Sequence, residues 1–473
     1  MKVLKLNLHR LYAFPAVFLF IFTIAIFRYV NKFFADVNLE QILFFINTST
    51  EGVDAHLFKL FIEHCILTPS LYALAICYLP EITLSRFKIS AVKIGWNTFI
   101  SALSLLLTVG YCFYKMDCDM IRYFFLNEKT DFYEKHFSEP KEAEIHFEKK
   151  KNLIILHLES LETTFKNKAF FGENLLTDLQ SIEMNGVQFS NFQDGYATDW
   201  TQGSVMALFT GMPTKYHHLV NKIGRKMHFF KGYYSLGKIL KDNGYYMLSI
   251  QGSEGNFGGM TEFLRDNAFD EFIDEDTIGR YYPQFEKKGS WGYTDDNVFE
   301  VAKDKIEELE ERQPYFLYVQ TVDTHVGYTP EIEKYPHIEN TYYNIIRHTV
   351  AHLADFLKWL QSRPDYANTV VVIAGDHLRM GGDFPMPAKR SIYNLFLNAK
   401  KPQNTDRVFT QVDMFPSVVE AMGGTIKNHR LGIGTSIFSS EKTFAELYSA
   451  EYLEKTLEKR NNLYERIFLP KHP

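Results

Sequence analysis

After Cys118 the chain has no cysteine. That absence excludes a disulfide framework and a cysteine-based metal site from most of the molecule. The four cysteines that do occur, Cys65, Cys77, Cys112 and Cys118, lie in or beside apolar segments near the N-terminus. An excess of positive charge is missing too. The formal net charge is -6 and no basic stripe runs through the sequence, which argues against a nucleic-acid partner. Internal repeats and low-complexity tracts are absent. No small-residue cleavage site follows the first apolar segment, so it does not read as a secretory signal. A soluble body of about 320 residues buries enough apolar surface to fold without staples.

What is present divides the chain of 473 residues in two. Residues 1–118 hold three apolar segments, 11–27, 61–79 and 94–113. Each approaches the ~20 residues that cross a bilayer. Lys2, Lys5 and Arg10 precede the first, and Arg86, Lys88 and Lys93 fill the loop between the second and third. By the distribution of Lys and Arg these stretches would be cytoplasmic, and everything after about Asp117 would lie outside. Residues 119–151 are charged and read as a helical connector.

From Asn152 the pattern changes to short apolar runs separated by helical stretches. Strands are expected at 152–158, 187–192, 245–251, 315–321, 369–374 and 394–398. Helices are expected at 173–186, 201–209, 233–243, 295–312, 343–362 and 413–422. Such alternation argues for an α/β fold with a mostly parallel central sheet flanked by helices. The catalytic domain would run over 152–440, and 441–473 reads as a tail helix on the surface.

Three of the expected strands deliver polar residues at their C-terminal ends. Glu159-Ser160 follows the first, Asp323-Thr324-His325 another, and Asp376-His377 a third. Ligands of open α/β sheets bind at that edge. Glu159, Asp376 and His377 are oxygen and imidazole donors suited to Zn²⁺ or Mn²⁺. A nucleophile is expected at Thr201, just before an apolar helical run, where the helix N-terminus favours an incoming phosphate. Metal coordination would activate so weak a nucleophile. Thr198 and Ser204 are rival hydroxyls, and Thr201 could equally be a plain helix cap. His325 and Trp291 are candidates for contact with the phosphate or its head group.

The ordered segments Asn152–Ser160, Thr198-Asp-Trp-Thr201, Trp291-Gly-Tyr293, Val322-Asp-Thr-His325 and Gly375-Asp-His377 resemble the sulfatase branch of the alkaline phosphatase superfamily. Within it the likeness is to membrane-anchored phosphoglycerol transferases, which include the bacterial enzyme that decorates periplasmic glucans and lipoteichoic acid synthase. Residues 37–44 also resemble a segment found between spans in those proteins. The resemblance implies an alkaline phosphatase-like domain behind a helical transmembrane region in a bacterial inner membrane. It implies Glu159, Thr201, Asp376 and His377 as metal ligands, Thr201 as a nucleophile forming a phospho-enzyme ester, and His325 as a phosphate contact. It further implies phosphatidylglycerol as donor and an envelope glycan as acceptor. Phosphoethanolamine transfer from phosphatidylethanolamine to lipopolysaccharide or lipid A is the activity of a sister group, and a phosphodiesterase of the same fold is a further alternative. Sulfatases need a Cys or Ser within a Cys/Ser-x-Pro-x-Arg context, and neither Thr201 nor Ser204 has one, which argues against sulfate-ester hydrolysis. Three spans are fewer than the four or five usual in the group. The disulfides usual in the phosphoethanolamine transferases have no counterpart.

Overall fold

The structure is a computed structural model that describes residues 13–33, 40–41, 55–84, 92–115, 128–215, 232–289, 291–328, 330–381 and 384–468. It divides into two compact units.

The first unit is helical. Helix α1 (Ala13–Phe33) packs against α3 (Thr68–Leu84) and α4 (Val92–Lys115). Helix α2 (Ala55–Phe61) runs into α3 through a π-helical turn, Ile62–Leu67. The apolar side chains Leu71, Leu103 and Leu106 face outward, which water would penalise. Among the described residues, two stretches are long and apolar enough to cross a membrane, Ala13–Phe33 and Phe58–Cys77. The third expected span corresponds to α4, whose apolar stretch Thr98–Tyr114 is shorter.

The second unit carries a seven-stranded sheet. Its strands are β1 (Asn152–Leu158), β2 (Gly186–Val187), β3 (Tyr246–Gln251), β4 (Glu271–Ile273), β5 (Tyr315–Gln320), β6 (Thr369–Gly375) and β7 (Asn394–Leu397). Their order is β2-β7-β6-β1-β5-β3-β4. The run from β6 to β4 is parallel, and β7 and β2 extend it with antiparallel pairs. All residues of β1, β5 and β6 are buried. Strands covered on both faces need continuous apolar runs, and that is why these three read so clearly from sequence. Helices α5 (Thr201–Thr210), α6 (Leu236–Asp242), α7 (Asp295–Leu309), α8 (Thr341–Gln361) and α9 (Gln411–Ala421) complete the framework. Helix α8 starts at Asn340, whose side chain accepts from the N–H groups of Tyr342 and Tyr343.

Several expectations are corrected. Residues 128–151 are not a continuous helix. They form a short helix, Phe132–His136, then a turn, then His146–Phe147, which pairs with Gly424–Thr425. Phe132 and Tyr133 are buried there, so the segment is part of the folded body despite its charge. Residues 119–127 lie outside the described residues. The helix expected over 173–186 is reduced to Thr177–Leu179 and Gln180–Glu183. Leu175, Leu176, Leu179 and Ile182 are buried, so their spacing serves the core instead of a long helix. Among the described residues the tail is three short helices, Phe444–Leu447, Ala450–Leu457 and Asn462–Phe468, anchored by Phe444, Leu457 and Tyr464, all buried.

Candidate active site

Strands β1 and β6 are paired to their last residues, Leu158 opposite Gly375. Glu159 and Asp376-His377 therefore emerge side by side at the C-terminal edge of the sheet. The approach is tight. A Cβ on Gly375 would lie 2.0 Å from the carbonyl oxygen of Leu161, so only glycine fits. Ser160 adopts a left-handed conformation, φ 49°, and donates its N–H to Asp376 Oδ1 at 2.8 Å. The His377 N–H donates to the same oxygen at 2.8 Å. One carboxylate oxygen of Asp376 is thus fixed by two backbone donors. The other, Oδ2, is buried and has no hydrogen-bond partner among the described residues.

Helix α5 brings the fourth member. Trp200 is its N-cap, so Thr201 is the first helical residue and is not a cap. Thr201 Oγ1 donates to Glu159 Oε2 at 3.2 Å and lies 3.5 Å from His377 Nε2. His377 Nδ1 is turned to the carbonyl of Leu378 at 2.8 Å, which leaves Nε2 facing the carboxylates, 3.4 Å from Asp376 Oδ2 and 3.7 Å from Glu159 Oε1. Glu159, Asp376 and His377 are fully buried, whereas Thr201 is half-buried and open to an incoming group. The rival hydroxyls are engaged elsewhere. Thr198 Oγ1 donates to Gln411 Oε1 at 2.6 Å, and Ser204 Oγ donates to the Asp376 carbonyl at 2.6 Å.

The electrostatics call for a cation. Burial raises the Asp376 carboxyl above its usual range, and the Glu159 charge raises it further. Burial would depress the His377 imidazole, but Asp376, Glu159 and Asp194 outweigh it and lift it to about 9. The imidazole is thus held protonated by the acids gathered around it. The orphaned Asp376 oxygen, the converging donors of Glu159 and His377, all within 4.8 Å of one another, and the Thr201 hydroxyl beside them fit a divalent cation.

Sequence reasoning missed the supports. Gln411 Nε2 donates to Asp194 Oδ1 at 3.0 Å and to the Asp376 carbonyl at 3.1 Å. Asp194 accepts from Leu378 N–H at 3.3 Å, and burial pushes its carboxyl up to about 7. Asp194 stands just past the expected strand 187–192, so the strand-end rule that found the other acids pointed at it as well. His157 is neutral, its imidazole depressed to about 4 by burial, and its Nδ1 lies 2.8 Å from the Tyr318 hydroxyl.

His325 and Trp291 are brought together, with ring centroids 4.9 Å apart. His325 Nδ1 is engaged by the Val326 carbonyl at 2.8 Å. Phe257 packs on Trp291 at 5.0 Å, and the next residue, Gly258, lies against Gln202, where a Cβ would come within 2.4 Å of the amide nitrogen. The glycines of that loop, at φ 59° and 71°, therefore let it close down beside Thr201. Thr321 and Thr324 tie the His325 segment to the backbone of Glu159.

Residues 151–424 match the family model described as Sulfatase. Phosphoglycerol transferase I of Escherichia coli strain K12 is 29% identical over 322 residues, covering 65% of this chain and 41% of that protein. The chain thus spans less than half the length of this relative. A solved protein of the alkaline phosphatase superfamily from Vibrio parahaemolyticus matches with a TM-score of 0.52 at 27% identity, over 64% of this chain and 72% of that one. The lipoteichoic acid synthase LtaP of Listeria monocytogenes shares the fold with a TM-score of 0.51 at 18% identity, over 65% and 80% of the two chains. Phosphoethanolamine transferase A of Neisseria meningitidis does so with 0.51 at 13%, over 86% and 83%.

Proposed function

The chain belongs to the sulfatase family and has its alkaline phosphatase-like fold, and from that premise we propose that it is a membrane-anchored transferase moving the phosphoglycerol head group of phosphatidylglycerol to an envelope glycan. The observation that carries this is the Thr201 hydroxyl, half-buried at a helix start and 3.2 Å from Glu159 Oε2. Similarity to a phosphoglycerol transferase supports the choice of head group. The apolar helices of the first unit support a membrane anchor, which a lipid donor requires. The Lys and Arg distribution, read with three spans, supports a catalytic unit outside the membrane.

Glu159, Thr201, Asp376 and His377 would hold a divalent cation, Zn²⁺ or Mn²⁺. When bound, it supplies positive charge that lowers the hydroxyl pKa and offsets charge on the phosphate oxygens. Thr201 Oγ attacks phosphorus, the bond from phosphorus to the diacylglycerol oxygen breaks, and diacylglycerol leaves carrying the proton that the hydroxyl gave up. The glycerol phosphate stays esterified to Thr201. A sugar hydroxyl then attacks the same phosphorus, and Thr201 is regenerated. The N-terminus of α5 offers its backbone N–H groups and positive dipole end to the phosphate. His325, whose ring lies tilted beside that of Trp291, would contact the head group.

The test is mass spectrometry of the purified full-length protein after incubation with phosphatidylglycerol and Zn²⁺ or Mn²⁺. A glycerol-phosphate adduct on Thr201, absent from Thr201→Ala, is expected. A phosphoethanolamine adduct formed only from phosphatidylethanolamine would keep the mechanism and replace the donor. Substantial turnover by Thr201→Ala would overturn the covalent mechanism.

A further inference from the structure

Another set of donor atoms shares no residue with the Thr201 site. His348 and His352 lie one turn apart on α8, on one face. Their rings are 4.4 Å apart and tilted by 57°. Asp296, in the first turn of α7, faces them. Each residue presents one donor atom, and the three atoms lie within 4.8 Å of one another.

His348 is only 6% exposed, yet its Nε2 has no hydrogen-bond partner among the described residues. That nitrogen is 4.0 Å from Asp296 Oδ1, too far for a hydrogen bond. A buried imidazole nitrogen left unpaired costs free energy, and a ligand between the two groups would remove that cost. Thr294 and Lys288 also contact the Asp296 carboxylate: the Thr294 hydroxyl donates to Oδ1, and Lys288 Nζ stands 3.5 Å from Oδ2. A second lone pair on Oδ1 stays available.

We infer that Asp296, His348 and His352 bind a second divalent transition-metal ion, of the zinc class. Two imidazoles and one carboxylate, with a remaining coordination position open to solvent on the half-exposed Asp296 and His352 side, are a donor set that Zn²⁺ takes readily. The ion would pin the start of α7 to α8. Its neighbours extend the brace. Asp295 accepts from Val322 N–H at 2.9 Å and Asp323 N–H at 3.3 Å, and Thr349, next to His348, donates to Asp295 Oδ2 at 2.8 Å. The segment that carries His325 is thus tied to this pair of helices.

The test uses full-length protein in detergent, stripped with a chelator, re-equilibrated with Zn²⁺, desalted and analysed for metal per chain. The double variant His348→Gln/His352→Gln should hold one zinc fewer than the wild type. In an Asp376→Asn background, which impairs the Thr201 site, added Zn²⁺ should still raise the melting temperature, and should cease to do so once both histidines are replaced. His352→Gln alone, at a half-exposed position that tolerates glutamine, should weaken Zn²⁺ binding by at least the roughly 10–100-fold that losing even an outer partner costs. Equal zinc content in wild type and His352→Gln, with no thermal response in the Asp376→Asn background, would leave His348 and Asp296 as a plain ion pair and overturn the proposal. None of these readouts depends on turnover, so they stand apart from the proposed activity.

Discussion

At the scale of single residues, the site depends on contacts too close to allow substitution. Gly375 ends β6 with no room for a side chain, since a Cβ would lie 2.0 Å from the Leu161 carbonyl and 2.8 Å from Ile392 Cγ2. The first of these is backbone and cannot rotate away. Gly375→Ala should therefore displace Asp376 and His377 and cost on the order of 3 kcal/mol. Urea unfolding measures the loss, and a change under about 1 kcal/mol would show that the β1 and β6 ends can move apart. The same scale explains which candidates the sequence resolved. Thr198, Thr201 and Ser204 are equivalent hydroxyls in the sequence. Only their partners separate them, and two of those, Gln411 and the Asp376 carbonyl, come from far along the chain.

At the scale of elements, the segment that follows β1 is joined to the one that leads into β7 by an ion pair whose carboxylate is buried. Glu162 is fully buried. It accepts from Arg379 N–H at 3.0 Å and from Arg390 Nε at 3.1 Å, with Arg390 Nη2 on its other oxygen. Arg390 Nη2 also donates to the Arg379 carbonyl at 2.8 Å, closing the loop that follows His377. Removing one partner strands a buried charge, so Arg390→Met should destabilise by about 3–5 kcal/mol. Adding Glu162→Gln should recover part of that loss in the same thermal or urea assay. An additive double variant would show that the two side chains do not act together. Elements of this kind mark the limit of what the sequence disclosed. Strands β1, β5 and β6 announced themselves because both faces are buried, and their terminal Glu159, Asp376 and His377 followed directly. Strand β4 has three residues and β2 has two, too few to show any period. The run 187–192 read as one strand but splits between two sheets, with Asn191–Phe192 pairing Val408–Phe409. Asp194 carried the same strand-end signal as the other acids, whereas the role of Gln411 arises only when those distant segments meet.

At the scale of the whole catalytic unit, chain segments far apart in sequence close around Lys215. Its Nζ donates to the carbonyls of Leu457, at 2.6 Å, and Lys459. It sits 5.4 Å from the Tyr133 ring centroid and 5.6 Å from that of Tyr464. The Tyr464 hydroxyl accepts from Lys215 N–H and donates to the Pro213 carbonyl. Burial depresses the Lys215 amine to about 7, although Glu40, Glu458 and Glu465 oppose the shift. The stability consequence has a definite sign. Between about 7 and the ordinary lysine value of 10.5, the unfolded chain binds a proton at this position that the folded chain does not. Stability contributed by Lys215 therefore rises with pH through that window and is lost as pH falls towards 7. Lys215→Met carries no such proton. The difference in unfolding free energy between wild type and variant should move in favour of wild type from about pH 7 to about pH 10. Urea midpoints at several pH values measure it, with groups common to both proteins cancelling. A difference that stays flat would mean that Lys215 remains charged in the folded unit, so that the acidic side chains outweigh its burial. A rising difference would identify a neutral amine donating to backbone carbonyls as the clasp that holds the C-terminal helices to the start of the catalytic unit.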